Sequence, residues 1–295
     1  MDGLNHPALA PYRAAILAAL RPTAEFTLEP CAQTAPRQSK IGGLPYLPRD
    51  TAYPLNRYGR PLTLLVQINF AEMPPLPDFP DSGILQWFID THGFFNLWGA
   101  DLQNPLNQDG FRVLYHAEVS ADDAALVQDF SFLDGIPPVP PPKLSLWQRI
   151  KGRVMDGESR PPFKRPCAIR FRPGSQLPGY QDCTLHLCGE GVPDITYDNY
   201  EFDDGAACDA YAELTDCYDD GDCYNGGHRI GGYPFFTQED PRTLAPEYRE
   251  YVQLIQLDSD SHVMWGDAGA GHLFIRPQDL RRRDFSRTMY TWDCA

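Results

Sequence analysis

Cys183, Cys188, Cys208, Cys217 and Cys223 crowd one stretch of the chain, with His186 between the first two. Structural zinc takes four thiolate or imidazole ligands in a tetrahedral array, usually delivered as two tight pairs. Only Cys183, His186 and Cys188 approach such a pair. They are the candidate ligands, but the set falls short of four, so the expectation is reduced, buried thiols and no bound metal. A second suggestive run is Asp219-Asp220-Gly221-Asp222-Cys223-Tyr224-Asn225-Gly226. A calcium loop beginning at Asp220 needs an oxygen ligand at 224, glycine at 225 and glutamate at 231. The chain offers Tyr224, Asn225 and Gly231, which leaves only an irregular oxygen cage. Gly266-Asp267-Ala268-Gly269-Ala270-Gly271 has glycines enough for a phosphate cradle, yet a strand-like Leu273-Phe274-Ile275 follows it where a helix is needed. A hairpin turn fits better. Neither a P-loop nor a nucleophile elbow is present, and no cofactor is expected.

Charge is placed unevenly. The chain of 295 residues carries a net −15. Lys143 to Arg172 holds nine basic residues, whereas Pro173 to His228 holds thirteen acidic ones and no Lys or Arg. An acidic face built on Asp203, Asp204, Asp209, Asp216, Asp219, Asp220 and Asp222 would steer and hold a basic partner; a solvated loop is the plainer alternative. Such a chain is a poor match for nucleic acid phosphates. Arg281-Arg282-Arg283 sits beside acids and reads as a surface helix or turn. No apolar run is long enough to span a membrane, and the N-terminus lacks the basic lead of a secretion signal. A cytoplasmic location with reduced cysteines follows as the expectation.

The elements that must carry these groups repeat. Ile41-Gly42-Gly43-Leu44-Pro45 returns as Ile230-Gly231-Gly232-Tyr233-Pro234, and Leu65-Val66-Gln67-Ile68-Asn69 returns as Leu254-Ile255-Gln256-Leu257-Asp258. Gly43 to Gln67 and Gly232 to Gln256 are both 24 steps. A third block, Gly83–Phe88, lines up with Gly271–Arg276 after one deletion. The order and spacing imply an internal duplication. Gly-Gly followed by Pro two residues on marks a positive-φ turn, and the apolar runs read as strands, so the repeated residues look like scaffold. The fold class expected is α+β, mainly antiparallel β, with two similar repeats packed about a pseudo-twofold axis and short helices at the periphery. The organisation expected is one domain: an N-terminal helix over 1–22, repeat one over about 40–117, an insert over about 135–227 and repeat two over about 228–295. Residues 23–60 read as turns. Strands are expected at Leu62–Phe70, Ile84–Ile89, Phe111–His116, Ala168–Phe171, Thr184–Leu187 and Thr288–Trp292. Ala121–Gln128 reads as one helical turn or two, Leu144–Met155 as a helix and Ala206–Thr215 as an acidic loop or helix, with Pro137–Pro142 as a stiff connector.

Ser39-Lys40-Ile41-Gly42-Gly43-Leu44-Pro45-Tyr46-Leu47-Pro48 with Leu65-Val66-Gln67-Ile68-Asn69 resembles the bacterial YwqG-like family, a family of unknown function. The second half agrees through His228-Arg229-Ile230-Gly231-Gly232-Tyr233-Pro234, Gln238, Leu254–Asp258, Met264–Gly269, Leu273-Phe274-Ile275 and Asp279-Leu280. The likeness covers most of the chain. It departs at Tyr53-Pro54, where the family often has Trp-Pro, and in the Cys- and Asp-rich stretch before His228. The resemblance implies no catalytic residues. It implies a kinship with proteins found beside toxin systems, where immunity proteins mask a cognate toxin.

The functional expectation is a non-enzymatic binding protein, of the immunity type, that presents the acidic face to a basic partner such as a toxin. The alternative is a small-molecule binder or enzyme with its site in the cleft between repeats, near Gln67, His228, Gln256, Asp258 and Asp267; Asp260 belongs to the same neighbourhood.

Overall fold

The computed structural model describes residues 2–92, 97–136, 160–198, 205–215 and 226–295. The proline connector, the helix expected at Leu144–Met155, the calcium-like run from Asp219, and Cys217 and Cys223 lie outside the described residues. The strands are β1 Arg21–Pro30, β2 Lys40–Ile41, β3 Thr63–Asn69, β4 Ile84–Ile89, β5 Phe111–His116, β6 Cys167–Gln176, β7 His186–Leu187, β8 Ile195–Thr196, β9 His228–Gly231, β10 Val252–Asp258, β11 Ala270–Ile275 and β12 Met289–Asp293. Among the described residues the α-helices are short: α1 Arg13–Ala19, α2 Ala206–Thr215 and α3 Pro277–Arg282.

Ten strands form one antiparallel sheet in the order β12-β11-β10-β9-β1-β6-β2-β3-β4-β5, and β7 pairs with β8 in a small ribbon. The sheet curls until its ends nearly meet. The ring of Phe111 on β5 lies 5.2 Å from that of Tyr290 on β12, and Trp87 on β4 stacks on Trp265 at 6.3 Å. Closing a sheet in this way conceals its edges and gives it an inside. Leu85, Trp87 and Ile89 of β4, with Leu273 and Ile275 of β11, fill that inside. The alternate residues Ile84, Phe88 and Phe274 pack into separate outer clusters under the loops. Both faces are therefore covered, which explains strands that are apolar end to end. Each aromatic pair adds about 1 kcal/mol beyond its buried area.

Two register shifts sharpen the curl. The β3–β4 pairing slips between Leu64 and Val66, and the β10–β11 pairing slips between Gln253 and Ile255. An extra residue in one strand turns two consecutive side chains to the same face. Leu65 and Val66 accordingly share the central core, as do Leu254 and Ile255.

The centre of the sheet departs from expectation. Residues 23–60 were expected as turns, but Arg21–Pro30 is a long strand paired with β6 over ten residues, from Arg21 opposite Gln176 to Pro30 opposite Cys167. The alternation of Ala24, Phe26 and Leu28 with Thr23, Glu25, Thr27 and Glu29 explains it, since the apolar set reaches the core. Its two terminal prolines mask that signal. The insert expected over about 135–227 likewise belongs to the main sheet, because it supplies β6. The N-terminus is two 3₁₀ turns, Asp2–Asn5 and Pro7–Tyr12, leading into α1, and only one 3₁₀ turn, Asp123–Ala125, forms within 121–128.

A second core lies beside the sheet. Leu4, Leu9, Tyr12 and Ile16 of the N-terminal segment pack with Leu185, Leu187 and Ile195 around the ribbon and with Cys208 and Tyr211 of α2. Among the described residues, no helix is long and apolar enough to cross a membrane.

The Gly-Gly turns have the expected backbone. Gly231 and Gly232 have φ of +72° and +74°, and Gly42 and Gly43 have +63° and +72°. A Cβ on Gly232 would lie 2.4 Å from Gln176 Oε1 and 2.5 Å from Thr23 Cγ2. Gly59 has the same φ of +74° but open space around its Cβ position. Gly59→Ala is expected to cost the left-handed strain alone, about 1–2 kcal/mol. Gly232→Ala adds a clash with a buried hydrogen-bonded glutamine and is expected to cost at least about 1 kcal/mol more. Denaturant midpoints of the two variants test this; equal values would refute the clash.

Candidate functional site

A hollow of about 480 Å³ opens where β9 and the end of β10 meet β1, lined by residues that include Glu25, Arg172, His228, Asp258, Asp260 and His262. Glu25 and Arg172 face each other in the β1–β6 register and form an ion pair of 2.8 Å. His228 pairs with Phe26 across β9–β1, and their rings stack at 5.3 Å.

The His228 ring is fixed at both nitrogens. Its Nδ1 accepts from the Asp258 amide at 3.0 Å, which puts the ring proton on Nε2, and Nε2 faces Asp260 Oδ2 at 3.3 Å. Asp260 also accepts the amides of His262 and Val263, each at 2.7 Å, through Oδ1. Burial alone would raise the Asp260 carboxyl, but the His228 N–H and the two amides outweigh it and bring its pKa down to about 2. Asp260 is therefore an anion at any physiological pH, with its charge met by N–H donors. Asp258 accepts the amides of Gly227 and Ser259. This Asp-Ser-Asp turn presents two carboxylates to one hollow, and among the described residues no lysine or arginine forms an ion pair with Asp260.

The cleft residues expected from sequence are only partly brought together. His228 and Asp258 line the hollow. Gln256 lies beneath it and is wholly buried, donating to the Gly227 carbonyl at 2.9 Å and accepting the Phe235 amide at 2.9 Å. Gln67 is equally buried on β3, five strand positions from β10 in the sheet. Its Oε1 accepts from the Tyr46 amide and Gln86 Nε2, and its Nε2 donates to the Pro36 and Gln38 carbonyls. Asp267 is exposed in the turn before β11, and its carbonyl accepts the Ala295 amide. A second hollow, of about 690 Å³, lies around Tyr46, Asp50, His116 and Glu118, where burial lowers the His116 pKa.

The expected metal candidates separate. Cys183 is buried, and burial pushes its thiol up to about 12. Its amide donates to Asp240, beside the ion cluster of Arg242 with Asp182 and Asp240. His186 and Cys188 stay together at the surface. Of the acidic face, Asp209 is exposed on α2, and Asp203, Asp204, Asp216, Asp219, Asp220 and Asp222 lie outside the described residues.

Sequence reading missed Glu25, Arg172 and His262. Glu25 and Arg172 meet only through a pairing far apart in the chain, which no local spacing announces. The alternation in Arg21–Pro30 was the available clue. No curated protein gives a significant match to this chain. A family profile described as a domain of unknown function, DUF1963, matches residues 39–294, and the chain belongs to that family.

Proposed function

We propose that this is a bacterial, cytoplasmic, YwqG-like binding protein that works without catalysis and seats cationic groups of a basic partner, an immunity-type protein for a toxin being the best fit. The observation that carries the proposal is Asp260, an anion held by two amides and an imidazole N–H at the wall of a hollow it shares with Asp258 and Glu25. A carboxylate so held keeps its charge available to an incoming cation. Both His228 nitrogens are engaged within the fold, which suits a framework role better than proton transfer. The net charge of −15 adds long-range attraction for a basic surface. The acidic run ends at Asp222, four residues before Gly226 at the rim of the hollow.

The test uses the full chain as bait in lysate of its source. A basic protein retained at low salt, released as salt rises, and lost when Asp209, Asp216, Asp219, Asp220 and Asp222 are changed to Lys supports the proposal. Undiminished capture by that variant refutes the acidic face. Recovery of the chain outside the cytoplasm by fractionation would contradict the location. The free thiols at Cys31, Cys167, Cys183, Cys188, Cys208 and Cys294 support it.

The hollow itself favours a second reading, a small-molecule site, since 480 Å³ suits a ligand of modest size. A metabolite that raises the melting temperature of the wild type, and fails to do so with Asp260→Asn, would favour this over a protein partner.

The proposal includes descent by duplication, with the halves related by a pseudo-twofold axis between β1 and β6. Gln67 accepts the Tyr46 amide, three residues after Gly43, as Gln256 accepts the Phe235 amide, three residues after Gly232. The Phe70 amide donates to Gly83 O, and the Ser259 amide donates to Gly269 O. This pairs Gly83 with Gly269, in place of the Gly83–Gly271 alignment drawn from sequence. Relatives in which the two glutamines vary independently would count against it.

A further inference from the structure

His186, Cys188 and Asp194 converge on the ribbon of β7 and β8. His186 Nε2 lies 2.9 Å from Asp194 Oδ2 and 3.8 Å from Cys188 Sγ, and one ligand atom from each of the three residues lies within 4.8 Å of the others. We propose that these three side chains bind one zinc ion, with a fourth position open to water.

Geometry comes first. Zinc at about 2.3 Å from sulfur and about 2.0–2.1 Å from nitrogen and oxygen, with tetrahedral angles, sets N···S near 3.6 Å and N···O near 3.4 Å. The observed separations of 3.8 and 2.9 Å bracket these values, so entry of the ion widens one gap by about half an ångström. The donor set is next. Thiolate and imidazole with one carboxylate suit zinc, whereas calcium and magnesium favour oxygen donors. Three protein ligands and one open position are also a recurring zinc arrangement.

The loop that joins the ligands is already ordered. The Gly189 amide donates to Asp194 Oδ1 at 3.1 Å, which leaves Oδ2 directed at His186. The Glu190 amide donates to Pro11 O at 3.0 Å, and the Tyr12 hydroxyl donates to Pro193 O at 2.6 Å. These bonds clamp the 189–194 turn onto the N-terminal segment, so little chain must be ordered when the ion binds. His186 and Cys188 are exposed, and zinc can reach them from solvent. Cys183, paired with Cys188 by sequence spacing, takes no part: it is buried with the Arg242 cluster.

The experiment titrates the reduced, chelator-stripped full chain with Co²⁺ as a spectroscopic stand-in, then with Zn²⁺ in competition. The expected result is one ion per chain with thiolate-to-cobalt charge-transfer absorption. Cys188→Ser should abolish that band, and His186→Ala should weaken binding at least about tenfold. Asp194→Asn keeps an acceptor for the Gly189 amide, so it separates lost ligation from a collapsed loop and should also weaken binding. Cys31→Ser, Cys183→Ser and Cys294→Ser should leave the band intact. Absence of binding, binding without a thiolate band, or a band that survives Cys188→Ser overturns the proposal.

Discussion

Arg242→Met is expected to destabilise the protein by about 3–5 kcal/mol at neutral pH, the usual cost of stripping one partner from a buried ion cluster. Arg242 is 2% exposed, and its guanidinium reaches Asp182 Oδ1 at 2.9 Å and Asp240 Oδ2 at 2.6 Å, with both aspartates buried. Methionine fills similar volume but leaves two carboxylates buried without their cation. The pH profile distinguishes this from a packing defect. Burial by itself raises the Asp240 carboxyl, yet the charge and hydrogen bonds of Arg242 hold it below its ordinary value of 3.8. A carboxyl depressed in the folded state contributes stability that is full above its unfolded value and is lost as pH falls through its folded value. The wild type should therefore lose this contribution below about pH 4. In Arg242→Met the Asp240 carboxylate gains by protonation, so the deficit should be largest near neutrality and shrink toward acid. Denaturant unfolding at several pH values checks it; a deficit that is small or constant with pH would contradict the ion-cluster account.

Gln67→Leu should cost about 3–5 kcal/mol, because it strands the Tyr46 amide, the Gln38 carbonyl and one donor of Gln86, while the Pro36 carbonyl keeps only its 3.3 Å bond from Lys40 Nζ. Each buried group left unmatched costs on the order of 1–3 kcal/mol, partly recovered by relaxation. Hydrogen exchange locates the effect: protection at the Tyr46 amide should fall out of proportion to the global loss. Gln256→Leu offers the comparison. It frees the Phe235 amide and the Gly227 carbonyl at the rim of the hollow, so it should disturb binding as well as stability. Ligand affinity unchanged in Gln67→Leu but reduced in Gln256→Leu would assign one glutamine to scaffold and the other to the floor of the site.

How much of this was legible follows from whether the signal was local. The Ile84–Ile89 and Phe111–His116 strands have the bounds read from sequence, since alternation and aromatic enrichment mark both, and Ala206–Thr215, read as a loop or helix, is a helix. The Gly-Gly turns adopt the positive φ that their glycines required. Strand β1 was missed because Pro22 and Pro30 read as strand breakers, although they lie at the two ends of its ladder, where they are tolerated. The candidate site was half legible. His228, Asp258 and Asp260 are close in sequence to the Gly-Gly turn and to Gln256, so local spacing placed them together. Gln67 was grouped with them because the residues around it in sequence match those around Gln256, although it lies on β3, five strand positions from β10. Glu25 and Arg172 depend on a pairing of strands that no motif encodes. Cys183 and Cys188 show the converse: close spacing suggested one site, and burial of one and exposure of the other divided them.

The central claim, that the hollow beside Asp260 seats a cation, is most directly tested with a peptide rich in lysine and arginine and a glutamate-rich peptide of equal length. Titration calorimetry at low salt should show binding of the basic peptide only, weakening as salt shortens the reach of charge to about 8 Å near 0.15 M. Asp260→Asn keeps an oxygen for the His262 and Val263 amides but removes the charge, and affinity should fall at least about tenfold, or roughly 1.4 kcal/mol. Equal binding of the acidic peptide, no binding of either, or an Asp260→Asn variant that binds as well as the wild type would contradict the account.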